Sequence, residues 1–546
     1  MTNRYDRRTF LQRGARAAAG GLLVPSAAAA LLDACGAGGQ EAAPPSVRPR
    51  RGGSLTFATE AEMPGFNPLF AAWDSSSLTC VRAVYDPLFV QAADGSIRPH
   101  LALSITPNAD YTQWTMKLRP GVKFHDGSPM DAEAVTINMA AQLKSPLTAP
   151  ALFNLDGVKP LDPLTVLFTM KNPWVPFPFY LTVKPGHMVG VRMLADTTGK
   201  APPIGTGPFM FKEWVPGDHF TAVRNPNYWR PGLPYLDSVT FKPITDPQSR
   251  GNSLRAGNID VMHSPDTQSL ADFMHDPDYH QVNDLHSYQG EPDMIFVMLN
   301  TAVPPLDDIR VRQALAHATD RQKYIDTLGN GLTKPADGPF IQGSPYYAPT
   351  GYPSYDPNKA RALVAQYQKE KGPISFKFGN VAAPKYRQEN ELLQAMWKAV
   401  GINTDIVLVE QAPYIFNAIV GDYQAYGWRQ FNVPDPDANY TWWSIGTAAP
   451  VGKQALNFAR NKDIQVDAAL QAGRTQVDPI VRTAAYKLVA QRFAVDLPYI
   501  WLTQVAWIVA GRRTIGGIGQ ATLPDGGKAR DMISGVMSLA ELWINS

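Results

Sequence analysis

The densest run of side chains able to hold a metal is His275-Asp276-Pro277-Asp278-Tyr279-His280, with Asp284 and His286 a few residues on. Imidazole and carboxylate groups together suit borderline divalent ions. The spacing matches no closed metal motif, however, and the run reads as solvated polar surface with no metal. Thiol chemistry is limited to Cys35 and Cys80, too few for a disulfide framework or a thiolate cage. Cys80 reads as a small buried residue rather than a reactive thiol. Gly205-Thr206-Gly207 lacks the third glycine and the helix start of a dinucleotide fingerprint. The phosphate loop Gly-x-x-x-x-Gly-Lys, the zinc motif His-Glu-x-x-His and the nucleophile elbow Gly-x-Ser-x-Gly are all missing. No catalytic residue and no cofactor are expected, and a secreted hydrolase stands only as the different-class alternative.

The elements that would position any site mix strands and helices without strict alternation. Gly53–Thr59 alternates like a strand and is broken by Pro64-Gly65-Phe66-Asn67-Pro68. Trp114–Arg119 is a second strand. His125-Asp126-Gly127 then turns the chain into a helix capped by Asp131, with Val135, Met139 and Leu143 on one stripe. Phe209–Trp214 and Val239–Ile244 read as extended, and Asp308–Leu328 as one helix. A helix over Asn358–Lys371 precedes the strand Ile374–Phe378, and a helix over Gln388–Val400 precedes the strand Thr404–Val409. Asp478-Pro479 opens a further helix with a cap and a first-turn proline. The change of texture at Asp293–Asn300 and the apolar run Pro498–Val509 predict two strands crossing between lobes, a hinge with a cleft between.

The N-terminus carries an address. Asp6-Arg7-Arg8-Thr9-Phe10-Leu11 pairs arginines ahead of an apolar pair, and Ala17–Leu32 is uncharged but only 16 residues long and interrupted by Gly20, Gly21 and Pro25. It is too short and broken to span a bilayer and suits an export signal. Arg7 and Arg8 resemble the twin-arginine motif. Cys35, in Leu32-Asp33-Ala34-Cys35, stands where lipoprotein signals place their lipid-modified cysteine. The reading is an exported chain, lipid-anchored on the extracytoplasmic side of the membrane or periplasmic, with residues 1–35 as signal and 36–52 as flexible tether. Of 50 basic and 48 acidic residues, the signal holds five arginines and two aspartates, so the remainder has 45 basic and 46 acidic. That balance excludes a nucleic-acid groove.

Four segments together resemble the family 5 extracellular solute-binding proteins, which serve ABC importers and include dipeptide, oligopeptide and nickel binders. They are Trp114–Pro129; Pro203-Ile204-Gly205-Thr206-Gly207-Pro208-Phe209 with Arg224–Trp229; Leu299-Asn300-Thr301 with Asp308–Leu315 and Ala318–Arg321; and Asn457-Phe458, Asp467, Arg482, Tyr486 and Asp496–Ile500. Their order spans nearly the whole chain after the signal. Gly205 and Gly207 are expected to supply backbone angles that side chains resist. The resemblance implies an α/β two-lobe periplasmic-binding-protein fold of the large, type II-like class, closing around its ligand and docking on a permease. Lobe I would cover 53–292 with an extra subdomain at about 80–200, lobe II 293–505, and 506–546 would return to lobe I. The expected partners are a small peptide or peptide-like solute and ABC permease subunits; the chain itself is expected to be a monomer.

In the peptide binders of that family an acidic residue following a lobe II tryptophan pairs with the peptide's amino group. Here the segment runs Trp428-Arg429-Gln430-Phe431-Asn432-Val433-Pro434-Asp435-Pro436-Asp437. Counting back from Asp435-Pro436 sets Asn432 at the anchor position; counting forward from Trp428 sets Phe431 there. Neither is acidic, and Asp435 is the remaining carboxylate that could serve. Trp428, Asn432 and Asp435 are the expected ligand contacts, with Phe66, Trp73 and Tyr440 as apolar walls. The missing acid keeps a non-peptide solute (metal chelate, opine or sugar) as the alternative.

Overall fold

The computed structural model describes residues 49–196, 201–285, 293–430 and 435–545. Its frame is three sheets, each with its own buried core. The seven-stranded sheet runs in the order Tyr279–Asn283, Ile508–Arg512, Val261–Ser264, Ser54–Thr59, Ser238–Pro243, His219–Arg224, Phe209–Val215. Its central strand Ser54–Thr59 is parallel to both neighbours, and the remaining pairs are antiparallel. Phe57, Phe220, Val239, Phe241 and Trp507 are among the side chains of its core. The five-stranded sheet runs Ile402–Val409, Ile374–Val381, Ala425–Gln430, Met294–Leu299, Tyr499–Gln504. A four-stranded antiparallel sheet built from Ala102–Pro107, Gln113–Leu118, Thr165–Met170 and Leu155–Asp162 packs on the helix Ala132–Gln142.

Chain crossings join the first two sheets. Met294–Leu299 and Tyr499–Gln504 lie side by side in the five-stranded sheet, whereas Ile508–Arg512 belongs to the seven-stranded one. Pro498–Val509 is therefore two strands separated by Val505-Ala506-Trp507. Trp507 fixes that junction. Its N–H donates to the Asp284 carboxylate at 2.6 Å and its indole Nε1 to Asp293 at 3.0 Å, and Asp293 also accepts from the Ser534 hydroxyl at 2.9 Å.

Aspartates start many helices by accepting a backbone N–H in the first turn, Asp131 from Ala134 and Asp478 from Ile480 among them. One such cap corrects the expected helix over Asp308–Leu328. It is two helices, Ile309–Ala318 and Arg321–Leu328, because Thr319 turns extended and Asp320 caps the second by accepting from Lys323 N. The glycines of the Gly205-Thr206-Gly207 turn also serve a different purpose from the one expected. Neither has a positive φ. A Cβ on Gly205 would stand 2.0 Å from the Val84 carbonyl oxygen, and one on Gly207 2.5 Å from the Val84 carbonyl carbon. They let the turn lie against the end of the helix Ser75–Val84, where Gly207 N donates to Val84 O at 2.8 Å.

Candidate functional site

Strand Ala425–Gln430 carries the site. Trp428, half-buried, stacks on Tyr414 at 5.1 Å between ring centroids and meets the edge of Phe458 at 5.6 Å. Tyr414 in turn stacks on Tyr426 at 4.2 Å. The indole lines a cavity of about 210 Å³ and another of about 90 Å³, which also share Phe296 and Arg429. The larger adds Asn380, Lys385, Tyr386, Glu389 and Tyr414 from lobe II and reaches Pro265 on the seven-stranded sheet's side of the cleft. Apolar walls with a few convergent polar groups are the usual make-up of a small-solute site.

Charge of both signs faces this space. Arg429 Nη2 lies 3.8 Å from Glu60, its Nε 3.9 Å from Asp293, and its guanidinium 5.3 Å from the Trp507 ring. Burial works against the Arg429 charge, but Glu60 and Asp293 hold its pKa above the ordinary value. Lys385 Nζ lies 3.6 Å from Asp266, the residue that caps the helix Thr267–Phe273. Burial pushes the Glu389 carboxyl up, against the pull of Lys385 and a hydrogen bond from Tyr324. Glu60 N donates to His263 Nε2 at 3.1 Å. With Nδ1–H then left to face Gly535 O at 3.3 Å, His263 is a neutral imidazole, and burial holds its pKa down at about 3.

The expected contacts distribute unevenly around these cavities. Trp428 lines both. Asp435 does not: it is buried, both its oxygens are 2.9 Å from Arg482 Nη2, and it caps the turn Pro436–Asn439. Phe66 is 1 % exposed and packs edge-on against Phe220 at 4.8 Å, inside the core of the seven-stranded sheet. Trp73 donates from Nε1 to Gly65 O and stacks on Tyr85. Tyr440 is buried between Phe153, at 5.0 Å, and the Arg474 guanidinium, at 3.9 Å. These four satisfy packing or pairing demands of their own and leave the cavities to other residues. Asn432, Cys35, Arg7 and Arg8 lie outside the described residues. Sequence reasoning missed Arg429, Lys385, Tyr386, Glu389 and Tyr414. The spacing of four between Lys385 and Glu389, on one face of the helix Pro384–Lys398, was a readable signal.

Two lobes, each with its own sheet, joined by crossing strands and facing a mixed-charge cavity, define a solute-binding protein. Residues 96–450 match the family described as bacterial extracellular solute-binding proteins, family 5 Middle, and the chain belongs to that family. It is a binding protein rather than an enzyme. Among its relatives, the glutathione-binding protein GsiB of Pectobacterium atrosepticum is 27 % identical over 468 residues, covering 82 % of this chain and 88 % of the relative. The nickel-binding periplasmic protein of Escherichia coli K12 is also 27 % identical, covering 81 % and 87 %. Among solved structures, DppA from Helicobacter pylori in complex with the peptide STSA superposes with a TM-score of 0.79 at 22 % identity, covering 91 % of this chain and 99 % of that one. NikA from Brucella suis in complex with Fe(III)-EDTA does so with a TM-score of 0.75 at 24 % identity, covering 90 % and 100 %.

Proposed function

We propose that this protein captures a small peptide-like solute between its lobes, outside the cytoplasm, and delivers it to an ABC permease. The observation that carries the reading is the cavity at Trp428. An aromatic wall there meets the cations Arg429 and Lys385 and the carboxyl group of Glu389, with Glu60 beyond the lining at 3.8 Å from Arg429. A solute bearing both an amine and a carboxylate finds partners of each sign without leaving a buried charge unpaired. Export through Arg7 and Arg8 and lipid attachment at Cys35 complete the reading. Mass spectrometry of solute co-purified with the protein, followed by calorimetry on the compound found, tests it. Recovery of a peptide or amino-acid derivative with micromolar or tighter binding supports it, and recovery of a sugar would overturn it.

A non-peptide solute is the second reading, and the Asp435–Arg482 pair favours it. With Asp435 committed to Arg482, that carboxylate does not serve a free amino terminus. N-acetylated and free peptides binding equally well would select this reading.

A further inference from the structure

We propose, on the reading of the Trp428 cavities as the solute site, that the smaller chamber receives the acyl end of the solute. That end is a carbonyl or carboxylate carried on an apolar group, held by indole, phenol and amide donors. The chamber is about 90 Å³. A single water needs roughly 10–15 Å³ of such space, so the chamber admits a group of several heavy atoms. Rings make up most of its wall: Phe296, Trp428, Trp442, Trp443, Phe458 and Tyr499. Phe458 meets two of them at a steep angle, Trp428 at 5.6 Å and Trp442 at 5.0 Å. Such a wall selects for apolar surface, and its few polar atoms decide what that surface must carry.

The tryptophans single this chamber out. Seven of the twelve donate their indole N–H to a protein acceptor, as Trp174 does to Asp437 and Trp397 to Thr319. Five make no indole hydrogen bond among the described residues. Two of these, Trp114 and Trp501, are sealed within core clusters. The other three are Trp428, Trp442 and Trp443, and each of them lines the chamber. A buried tryptophan or tyrosine usually finds a partner for its polar end. Trp443 is 3 % exposed, so bulk water does little for its N–H.

Two further donors on the same wall are left over. Asn439 is 1 % exposed, and its Nδ2 has no hydrogen-bond partner. It stands at the start of the helix Tyr440–Trp443, where an asparagine ordinarily accepts a first-turn N–H, yet its side chain makes no cap. The buried Tyr499 hydroxyl makes no hydrogen bond among the described residues, and burial alone pushes its pKa up. The described wall has no carboxylate, and Arg429 is its charged side chain. What faces a guest is therefore mainly N–H and O–H donors set among aromatic rings. An ammonium group would bring only further donors beside the Arg429 charge, whereas a carbonyl or carboxylate oxygen accepts from several donors at once. Trp428 and Arg429 also line the larger chamber, where Glu389 stands, so a solute with its acyl end here places its amine there.

Benzoate, benzamide and benzylamine are the probes: one ring carrying a carboxylate, a neutral carbonyl or an ammonium. Indole N–H resonances of the isotope-labelled protein read the chamber directly once Trp428→Phe, Trp442→Phe and Trp443→Phe have assigned them. Benzoate and benzamide should shift these three resonances saturably, and benzylamine should not. Tyr499→Phe removes only a hydroxyl that supports no contact of the fold. It should weaken benzoate about threefold in the same titration without lowering the thermal unfolding midpoint. Benzylamine as effective as benzoate, benzoate that leaves all three resonances in place, or benzoate affinity unaltered by both Tyr499→Phe and Trp443→Phe would overturn the proposal. Should the tryptophan variants fail to fold, wild-type crystals soaked in benzoate decide: no benzoate density in the chamber refutes the subsite. No probe carries both an amine and a carboxylate, so these results bear on the chamber alone, whereas a co-purified sugar would sink the peptide reading itself.

Discussion

Trp428 shows how one side chain can organise a cavity. Its indole stacks on Tyr414 and meets Phe458 at a steep angle, and so held it lines both chambers. Aromatic contacts of this kind contribute about 0.5–1.5 kcal/mol beyond the area they bury. Trp428→Ala should therefore weaken solute binding about tenfold while leaving the unfolding midpoint within a few degrees of wild type. Calorimetry and thermal unfolding on the same preparation check this, and unchanged affinity would take Trp428 out of the site. The tryptophan was legible in the sequence because its segment resembles a known binding segment. Its neighbours were less so. Asp435 and Arg482 are 47 positions apart, and nothing in their spacing announces that one neutralises the other. A sequence shows that a carboxylate exists, whereas its availability depends on which cation the fold brings beside it.

At the scale of elements, the junction between the sheets concentrates unusual chemistry. Burial, reinforced by nearby Asp293, raises the Asp284 carboxyl to about 7, although it accepts the Trp507 N–H and Arg530 works the other way. An acid whose folded pKa lies above its ordinary value binds more protons folded than unfolded between the two values, so stability falls as pH rises through that interval. Stability should decline from about pH 4 to about pH 7 and level off above, by at most about 1.4 kcal/mol per pH unit from this group. Asp284→Asn should flatten that part of a denaturant-midpoint profile, and an unaltered slope would show that another group sets it. Local rules identified most elements nearby, since strand alternation and aspartate caps are written in adjacent residues. They failed where tertiary contact decides. The break at Thr319-Asp320 is invisible to a periodicity that continues through it, and the crowding of Gly205 and Gly207 depends on Val84, more than a hundred residues earlier.

Across the whole molecule, the contacts bridging the cleft differ in what they would cost to break. On one side Asp437, fully buried, accepts from Arg474 Nε at 2.8 Å within its own lobe. It also accepts from Trp174 Nε1 at 2.8 Å and the Tyr180 hydroxyl at 3.1 Å, both in the region of the four-stranded sheet. Removing one partner from a buried ion pair typically costs about 3–5 kcal/mol. On the other side the bridges are Arg429–Glu60 and Lys385–Asp266, at 3.8 and 3.6 Å, with Lys385 46 % exposed. Both separations exceed a hydrogen bond and the side chains are partly exposed, so each pair holds less strongly than the buried Asp437 contacts and weakens with salt. Lobe opening should therefore pivot about the Asp437 contacts and part the cleft at Glu60 and Asp266. Glu60→Gln combined with Asp266→Asn should shift the ligand-free protein toward the open form, giving a larger radius of gyration by small-angle scattering than wild type. Saturating solute adds contacts to both lobes only when they are closed, so it should bring wild type and variant to the same smaller radius. Raising the salt concentration should move ligand-free wild type in the direction of the variant. If variant and wild type scatter alike without solute, these two pairs do not set the resting cleft; if solute leaves both radii unchanged while calorimetry confirms binding, the lobes do not close on it.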